Sequence, residues 1–449
     1  MRVNITHPRP IRKTAEGGPS VELPPLAKLK RLTMACMLWE KTFYVDGVDV
    51  VQRIAEVAAM LKPQQICDVA SDCHKKGLLR HIPLYLIVQA LKKQAQCKKL
   101  IQEVCNRPDQ MTELLALYWK DGKKPLPAQL KKGLAAAFNR FDEYQLAKYN
   151  RDNPIKLRDI LFLCHAKPKN DAQADLWKRL ISNTMKTPET WETKLSAGND
   201  KKETFAELLE KGKMGKLAII RNLRNMHDSG VSKLLVKENL MKSDRPILPF
   251  QFLAAARECP QWEDIVDEAM LKSLETRVKI PGSTIILVDV SGSMMNPISS
   301  KSTMSCHDAA AGVAILLREI CDSCEVWTFS NAFVQVAPRR GMALRDAIRT
   351  SQPCSGTFLS PVLNYLKGRV MPDGSKIDRL VVITDEQIAD AIPDMTNVNH
   401  CYINNIASNE YGIKTFRNWL GVTGFSEYII DFIMGTEELE CSNQDASSS

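Results

Sequence analysis

From about Leu26 to Leu274 apolar residues recur at spacings of three and four. Val51, Ile54, Ala58 and Leu61 form one such set, and Leu84, Ile87, Val88, Leu91 and Ala95 another. That period lines one face of an α-helix, whereas few stretches show the period of two that a half-buried strand needs. Pro63, Pro83, Pro108, Pro125, Pro127, Pro154, Pro168 and Pro188 punctuate the pattern. Proline interrupts a helix interior and is tolerated in its first turn, so these residues divide the region into short segments. The prediction is a run of short antiparallel helix pairs. No exact repeat is present, and a solenoid of degenerate helical hairpins and an irregular helical domain fit the pattern equally. Asn183 to Gly215, rich in Lys, Thr, Glu and Gly, reads as a solvated connector.

Near Pro281 the pattern changes. Ser283 to Asp289 is a near-continuous apolar run, suited to a strand buried on both faces of a parallel sheet. A helix is predicted over Ser305 to Ile320, a strand over Glu325 to Phe329, and helices around Leu344 to Arg349 and Pro361 to Leu366. Strands follow at Leu380 to Thr384 and His400 to Ile406, then a last helix at Ser426 to Met434. Alternating strands and helices indicate a doubly wound α/β domain. The expected organisation is an extended, poorly ordered arm over residues 1–25, marked by Pro8, Pro10, Gly17, Gly18, Pro19, Pro24 and Pro25, a helical domain over 26–278, an α/β domain over 279–435, and a frayed acidic and Ser-rich tail over 436–449.

Charge is unevenly placed along this chain of 449 residues. The total is +9, but residues 1–280 carry a net +16 and residues 281–449 a net −7. A basic half beside an acidic half suggests an acidic polymer as partner of the first, a phosphate backbone being the commonest; charge tuned for solubility is the plainer explanation. Thirteen cysteines at irregular spacing, an odd number in a chain large enough to need no staples, argue against a disulfide scaffold. With no apolar leader at the N-terminus and no apolar run long enough for a bilayer, the expected compartment is reducing and soluble, most simply the cytoplasm.

The sharpest motif is Asp289-Val-Ser291-Gly-Ser293, at the end of the first buried strand. Ligands of open α/β sheets collect outside the carboxyl ends of strands. A carboxylate followed by two hydroxyls offers the hard oxygens that Mg²⁺ prefers at ~2.1 Å. Thr357, within Ser-Gly-Thr before a helix, and Asp385, which ends the strand Val-Val-Ile-Thr-Asp, can complete the set. This order of residues resembles the metal-ion-dependent adhesion site of von Willebrand A domains. The resemblance implies that Asp289, Ser291 and Ser293 bind Mg²⁺ with Thr357 and Asp385 acting directly or through water, leaving an open position for a partner's carboxylate. Phe358 follows Thr357 where many relatives carry an acidic residue. No P-loop and no cluster of further carboxylates accompanies the site, so adhesion is expected rather than phosphoryl transfer.

The basic half carries its own phrases: Leu79-Arg80-His81-Ile-Pro83-Leu, Asp142-Glu-Tyr-Gln-Leu-Ala-Lys148-Tyr149, Leu157-Arg-Asp-Ile-Leu-Phe-Leu-Cys-His165-Ala-Lys167-Pro168, Gly215 to Met226 with Arg221 and Arg224, and Ile247-Leu-Pro249-Phe250. With the A-domain motif following, the chain from about Leu26 to Gly435 resembles the TROVE-domain family of Ro ribonucleoproteins. The resemblance implies a ring of helical HEAT-like repeats closed by the A-domain, binding small structured RNAs of the Y-RNA type on a basic outer surface. It also implies that single-stranded 3′ ends of misfolded RNAs enter the central hole, in a role in noncoding-RNA stability, quality control or degradation. An exoribonuclease or RNA-processing factor would be the partner at the metal site. On the family's RNA-contacting pattern Lys148, Tyr149 and His165 match, with Arg151, Lys167, Arg80, His81, Arg221 and Arg224 as further contacts. A basic residue that some relatives place four after the Lys falls on Asp152.

Each of these residues also has an ordinary reading. Lys148 and Arg151 fit a solvated helix face, His165 a structural histidine, and Arg221 and Arg224 partners of nearby carboxylates. Met214, Leu217, Ile220, Leu223 and Met226 read as core. Cys321-x-x-Cys324 is a lone pair without the second pair that zinc requires. No hydrolase signature is present, and the chain is not expected to be an enzyme. The alternative from another class is a Mg²⁺-dependent protein-interaction scaffold that does not bind RNA directly.

Overall fold

A computed structural model describes residues 12–14, 16–34, 47–75, 79–186, 188–242, 247, 249–298, 302–371, 374–407, 411–413, 419–425 and 429–437. The chain divides into two compact units, one made of residues 51–243 and the other of residues 1–50 with 244–449. The second unit is therefore discontinuous. It opens with strands β1 (Arg12–Lys13) and β2 (Pro19–Glu22) and helix α1 (Pro25–Met34).

The unit over 51–243 is helical. Its first half contains α2 (His81–Lys92), α3 (Lys98–Val104), α4 (Pro108–Tyr118), α5 (Ala128–Phe138), α6 (Glu143–Tyr149), α7 (Leu157–Cys164) and α8 (Asp171–Ile181). Each packs on the helix two further along, α2 on α4, α3 on α5, α4 on α6, α5 on α7 and α6 on α8. This is the layered contact pattern of stacked helical hairpins, and it favours the repeat array over an irregular bundle. The predicted apolar sets are buried: Val51, Ile54, Ala58 and Leu61, and Leu84, Ile87, Val88, Leu91 and Ala95.

Two expectations for this unit are corrected. The segment read as a connector contains helices Trp191–Ser196 and Lys201–Glu210, and Phe205, Leu208 and Leu209 are in the core. Thr190 and Asp200 accept hydrogen bonds from the first-turn amides of Thr193 and Glu203, so polar residues that resemble loop composition are helix caps. Leu217 is 36% exposed while Met214, Ile220, Leu223 and Met226 are buried. Within the helix Lys216–Arg221 the buried face runs through Lys216, Ile219 and Ile220, and Leu217 falls outside it.

The other unit is built on a six-stranded sheet. Its strands are β3 (Ile280–Asp289), β4 (Cys321–Phe329), β5 (Phe333–Gln335), β6 (Ile377–Thr384), β7 (Val398–Asn405) and, after β8 (Tyr411–Ile413), β9 (Trp419–Thr423). Their order is β5-β4-β3-β6-β7-β9, parallel except for β5 at the edge. The order in which strands are added reverses at β3, between β4 on one side and β6 on the other, the position where doubly wound folds bind ligands. The predicted strands and helices are found here, with β5 and β9 added at the edges.

The apolar side chains of the central strands pack on both faces, which explains their unbroken hydrophobic runs. Ile285, Leu287, Trp327, Phe329, Leu380, Val382 and Ile403 share a core with Val362, Leu363 and Leu366. Those last three belong to one short helix, Ser360–Lys367. The opposite face is covered by the Cys306–Ile320 helix, which touches β3, β4 and β6.

The domain boundary expected near residue 278 lies instead at 243/244. Helices α9 (Pro249–Glu258) and α10 (Glu263–Glu275) pack on α11 (Cys306–Ile320), and α10 also touches α12 (Gly341–Arg349). Gly312 of α11 makes the approach possible, since a Cβ there would stand 3.3 Å from the Phe250 amide nitrogen. Arg257 pairs with Asp308, Arg345 with Glu263 at 3.1 Å, and Asp267 accepts the Met342 amide at 2.9 Å. With a layer on its outer side too, α11 is buried almost all round.

The extended arm is also corrected within the described residues. β1 and β2 form an antiparallel hairpin turned at Gly17 (φ +94°), and β2 pairs with β8. Gly17 makes the turn, Pro19 opens β2 and Pro25 opens α1, while Pro8 and Pro10 lie outside the described residues. Of the predicted tail, residues 436–437 end a helix over 429–437, and 438–449 lie outside the described residues.

The eleven described cysteines are free thiols. Burial pushes Cys97, Cys164, Cys306, Cys324 and Cys401 up to about 12. Cys321 and Cys324 lie in the first turn of pleat of β4 as packing groups.

A Cβ on Gly133 of α5 would fall 2.7 Å from the Ile101 Cβ of α3. Gly133→Val should therefore destabilise the protein by about 1–3 kcal/mol in urea unfolding. A midpoint equal to that of the parent protein would show that α3 and α5 can part freely.

Candidate functional site

Asp289 ends β3 and Asp385 directly follows β6, so the two carboxylates lie at the carboxyl ends of adjacent central strands. Both are buried, as are Ser291 and Thr357. The Ser291 amide donates to Asp289 Oδ1 at 2.9 Å and the Thr384 hydroxyl to Oδ2 at 2.6 Å. Ser291 and Ser293 hydroxyls are 3.2 Å apart, and Ser293 hydrogen-bonds Asp385. Thr357 arrives on a loop tied to its neighbours: the Gly292 amide donates to Ser355 O at 2.8 Å, the Ala389 amide to Thr357 O at 2.9 Å, and Phe358 N to Ser330 O at 3.0 Å. All five predicted oxygen donors are thus brought to one sheet edge. Phe358 beside them is 41% exposed.

Burial, with the charge of Asp385 added, pushes Asp289 above the usual carboxylate range, and burial raises Asp385 as well. Two desolvated carboxylates that repel each other, flanked by three hydroxyls, fit a hard divalent cation, whose charge would offset both effects.

The loop carrying Asp385 is braced from behind. Glu386 holds a left-handed backbone (φ +60°) and its carboxylate is buried. It accepts from Arg31 of α1 at 2.6 Å, from Asn405 Nδ2 at 3.0 Å and from the Ile413 amide at 2.8 Å. Further along, Thr14 Oγ1 donates to Ile388 O at 2.6 Å and Gly18 N to the same oxygen at 3.2 Å. A Cβ on Gly18 would come within 2.3 Å of that carbonyl, so only glycine lets the hairpin close on the loop.

In the helical unit the predicted RNA residues form a row and two outlying pairs. Arg80, at the start of α2, pairs with Asp109 at 2.8 Å and with Glu113, both on α4. His81 stands 3.7 Å from Glu113, and burial lowers its pKa. Arg107, the residue before α4, also pairs with Asp109 at 2.5 Å and lies 5.2 Å from the Tyr149 ring centroid. Lys148 lies 6.0 Å from the same ring. Lys148, Asn150 and Arg151 then line a pocket of ≈ 400 Å³ with Thr190, Glu192 and Thr193. Asp152 is exposed and pairs with Lys156 at 2.6 Å, which holds its carboxyl below the usual range.

His165 and Lys167 are exposed just after α7, His165 closing that helix in a left-handed conformation (φ +50°). Among the described residues no hydrogen bond, ion pair or ring contact joins them to the row. Arg221 and Arg224 are exposed on the two short helices around Asn222.

Residues 177–297 match the TROVE domain family model, and residues 284–396 match the Ro60 vWA domain model. The chain thus resembles TROVE proteins over the first of these stretches and Ro60-type vWA domains over the second. Its fold is similar to the crystal structure of the Deinococcus radiodurans RO (RSR) protein, with a TM-score of 0.53 and 17% identity over 89% of this chain and 97% of that one. The TROVE match runs through α9, α10 and β3 into the metal motif, across the boundary expected near 278.

Three residues escaped the sequence reading: Arg31, Glu386 and Arg107. Glu386 follows a ligand-like Asp, and its partner stands 355 residues away, so no local signal joins them. Arg107 precedes a helix-starting proline, where it reads as an ordinary exposed cation. Removing the cation from the buried pair in Arg31→Met should cost about 3–5 kcal/mol, because Glu386 would be left charged and unpaired. Thermal unfolding measures this, and a loss below about 1 kcal/mol would show that water reaches Glu386.

Proposed function

We propose that this TROVE protein is a non-enzymatic RNA scaffold of the cytoplasm that also holds Mg²⁺. The TROVE and Ro60 vWA matches support an RNA-binding protein of the Ro type. The observation that carries the reading to a surface is the charge of the helical unit. Residues 51–243 hold 36 Lys+Arg against 21 Asp+Glu, a net +15, while the rest of the chain is net −6. On that unit Arg107, Tyr149, Lys148 and Arg151 follow one another across α4 and α6, alternating cations with an aromatic ring. Cations neutralise phosphates and the ring stacks on unpaired bases, a combination suited to a small structured RNA of the Y-RNA type. Single-stranded 3′ ends of misfolded RNAs are the second proposed class of ligand. Arg80 is held by two carboxylates, so its share in phosphate binding is smaller than that of Lys148 or Arg151. Among the described residues no helix is long and apolar enough to cross a membrane.

In the vWA unit, Asp289, Ser291, Ser293, Thr357 and Asp385 would hold Mg²⁺, which when bound supplies an electrophilic site for a carboxylate. Phe358, exposed next to Thr357, would give a protein partner an apolar contact beside that ion. An exoribonuclease or another RNA-processing protein is the proposed partner class.

Gel-shift titration of the full chain with a structured small RNA should give binding whose log affinity falls with log salt by about 0.9 for each phosphate contact. Lys148→Ala with His165→Ala should weaken it and flatten that slope by about one contact or more. Binding as tight as the parent protein's would place the RNA elsewhere. Asp289→Ala should abolish the rise in melting temperature produced by millimolar Mg²⁺ and leave RNA affinity within about two-fold. A large loss of RNA affinity in a folded Asp289→Ala protein would contradict the separation of the two sites.

A further inference from the structure

The helical unit has a second concavity, an open groove of ≈ 680 Å³ lined by Trp119, Lys123, Pro154, Ile155, Asp159 and Phe162. Phe162 is 58% exposed. Its helix α7 buries Leu157, Ile160, Leu161 and Cys164, so Phe162 sits outside the stripe the fold requires and contributes nothing to the core. Trp119 is the residue that ends α4, and its indole N–H donates to Lys124 O at 2.8 Å, which fixes the ring. The Lys123 ammonium lies 5.7 Å from the Trp119 ring centroid, and Lys124 lies 4.5 Å from Tyr118. The one acid in the lining, Asp159, accepts the Lys156 amide at 2.8 Å as part of the α7 cap.

An exposed Phe162 ring and a half-buried Trp119 ring beside an ammonium group suit a ligand that has both a flat face and a negative charge. An unpaired nucleotide has both. We infer that this groove takes an unpaired base of an RNA strand against the Trp119 and Phe162 rings, with Lys123 at its phosphate. The assignment rests on the RNA-binding reading above and adds a site separate from the row through Tyr149 and Lys148. An apolar peptide would use the rings but leave the lysines without a role, and the net charge of +15 on residues 51–243 draws a polyanion instead. The open form of the groove accommodates a strand that enters and leaves. Stacking without edge-specific hydrogen bonds makes the site tolerant of base identity.

The test uses the full chain with a fluorescently labelled single-stranded RNA and a blunt RNA duplex, measured by anisotropy at several salt concentrations. Phe162→Ala should weaken single-strand binding by roughly 5- to 100-fold, the range of one lost base–aromatic stack. It should leave the salt slope and the duplex affinity unchanged. Phe162→Trp should keep parent-level binding, and Lys123→Ala should lower the salt slope by about one. Melting curves of both Phe162 variants should match the parent, because the side chain is largely in solvent. A Phe162→Ala protein that binds the single strand like the parent overturns the groove assignment and leaves RNA binding intact. A parent protein that binds neither RNA overturns the RNA-binding reading itself. Displacement from the groove by a proline-rich peptide but not by the single strand would reassign it to protein.

Discussion

Two carboxylates at the ends of neighbouring parallel strands cannot both be taken out of water without compensation, and much of the vWA unit is arranged around that constraint. The register of β3 against β6 puts Asp289 and Asp385 at one edge. The loops then supply amide and hydroxyl donors from Ser291, Ser293 and Thr384, and the Thr357 loop is stitched to Gly292 and Ala389 by its backbone. Hydrogen bonds of this kind relieve part of the desolvation but leave the mutual repulsion in place. The same strands that bury the acids hold their apolar residues between two helical layers, so the loops have a rigid base from which to work. Placing the site at the reversal of strand order is a consequence of topology, since only there do two loops diverge and leave room between them.

The buried Arg31–Glu386 pair extends this arrangement backwards along the chain. Glu386 is one residue beyond a candidate ligand, and its left-handed conformation would be unfavourable for a glutamate if its carboxylate were not held by three donors. The brace therefore fixes the direction in which Asp385 leaves β6. Its parts come from α1, β7 and β8, and none adjoins the loop in sequence.

That distance explains which features were legible in the sequence. The central strands are continuous apolar runs, and the helices of the first unit repeat at three and four. Both patterns follow from local geometry and were readable to within a few residues, as β3 and α11 illustrate. The convergence of Asp289, Ser291, Ser293, Thr357 and Asp385 on one sheet edge was legible because strand ends and a Ser-x-Ser loop leave a local trace. Pairing with a remote segment leaves none: β1 and β2 flank a glycine turn with Pro19 at its edge, which reads as a loop, and β2 extends as a strand where β8 is there to receive it. Similarly α9 and α10 carry the same helical period as the preceding unit, and only the notch at Gly312 reveals which core they join. Leu217 departs from expectation because a strict spacing of three drifts around a helix of about 3.6 residues per turn, and the buried face passes through Lys216, Ile219 and Ile220. The row from Arg107 to Lys148 depends on helices two apart in the array, a relation that becomes visible only once the stacking is known.

The hairpin of β1 and β2 also has a bearing on how the protein is made. Its partner strand β8 begins 389 residues after Glu22. At ribosomal rates of about 5–20 residues per second, the N-terminal strands wait on the order of 20–80 s before the segment that completes their sheet has been synthesised. Meanwhile the helical unit over 51–243, whose contacts are internal, is fully available to fold. Vectorial synthesis thus imposes an order on the molecule: the helical array matures first, and the half-site around Asp385 is closed by a residue, Arg31, that left the ribosome long before it.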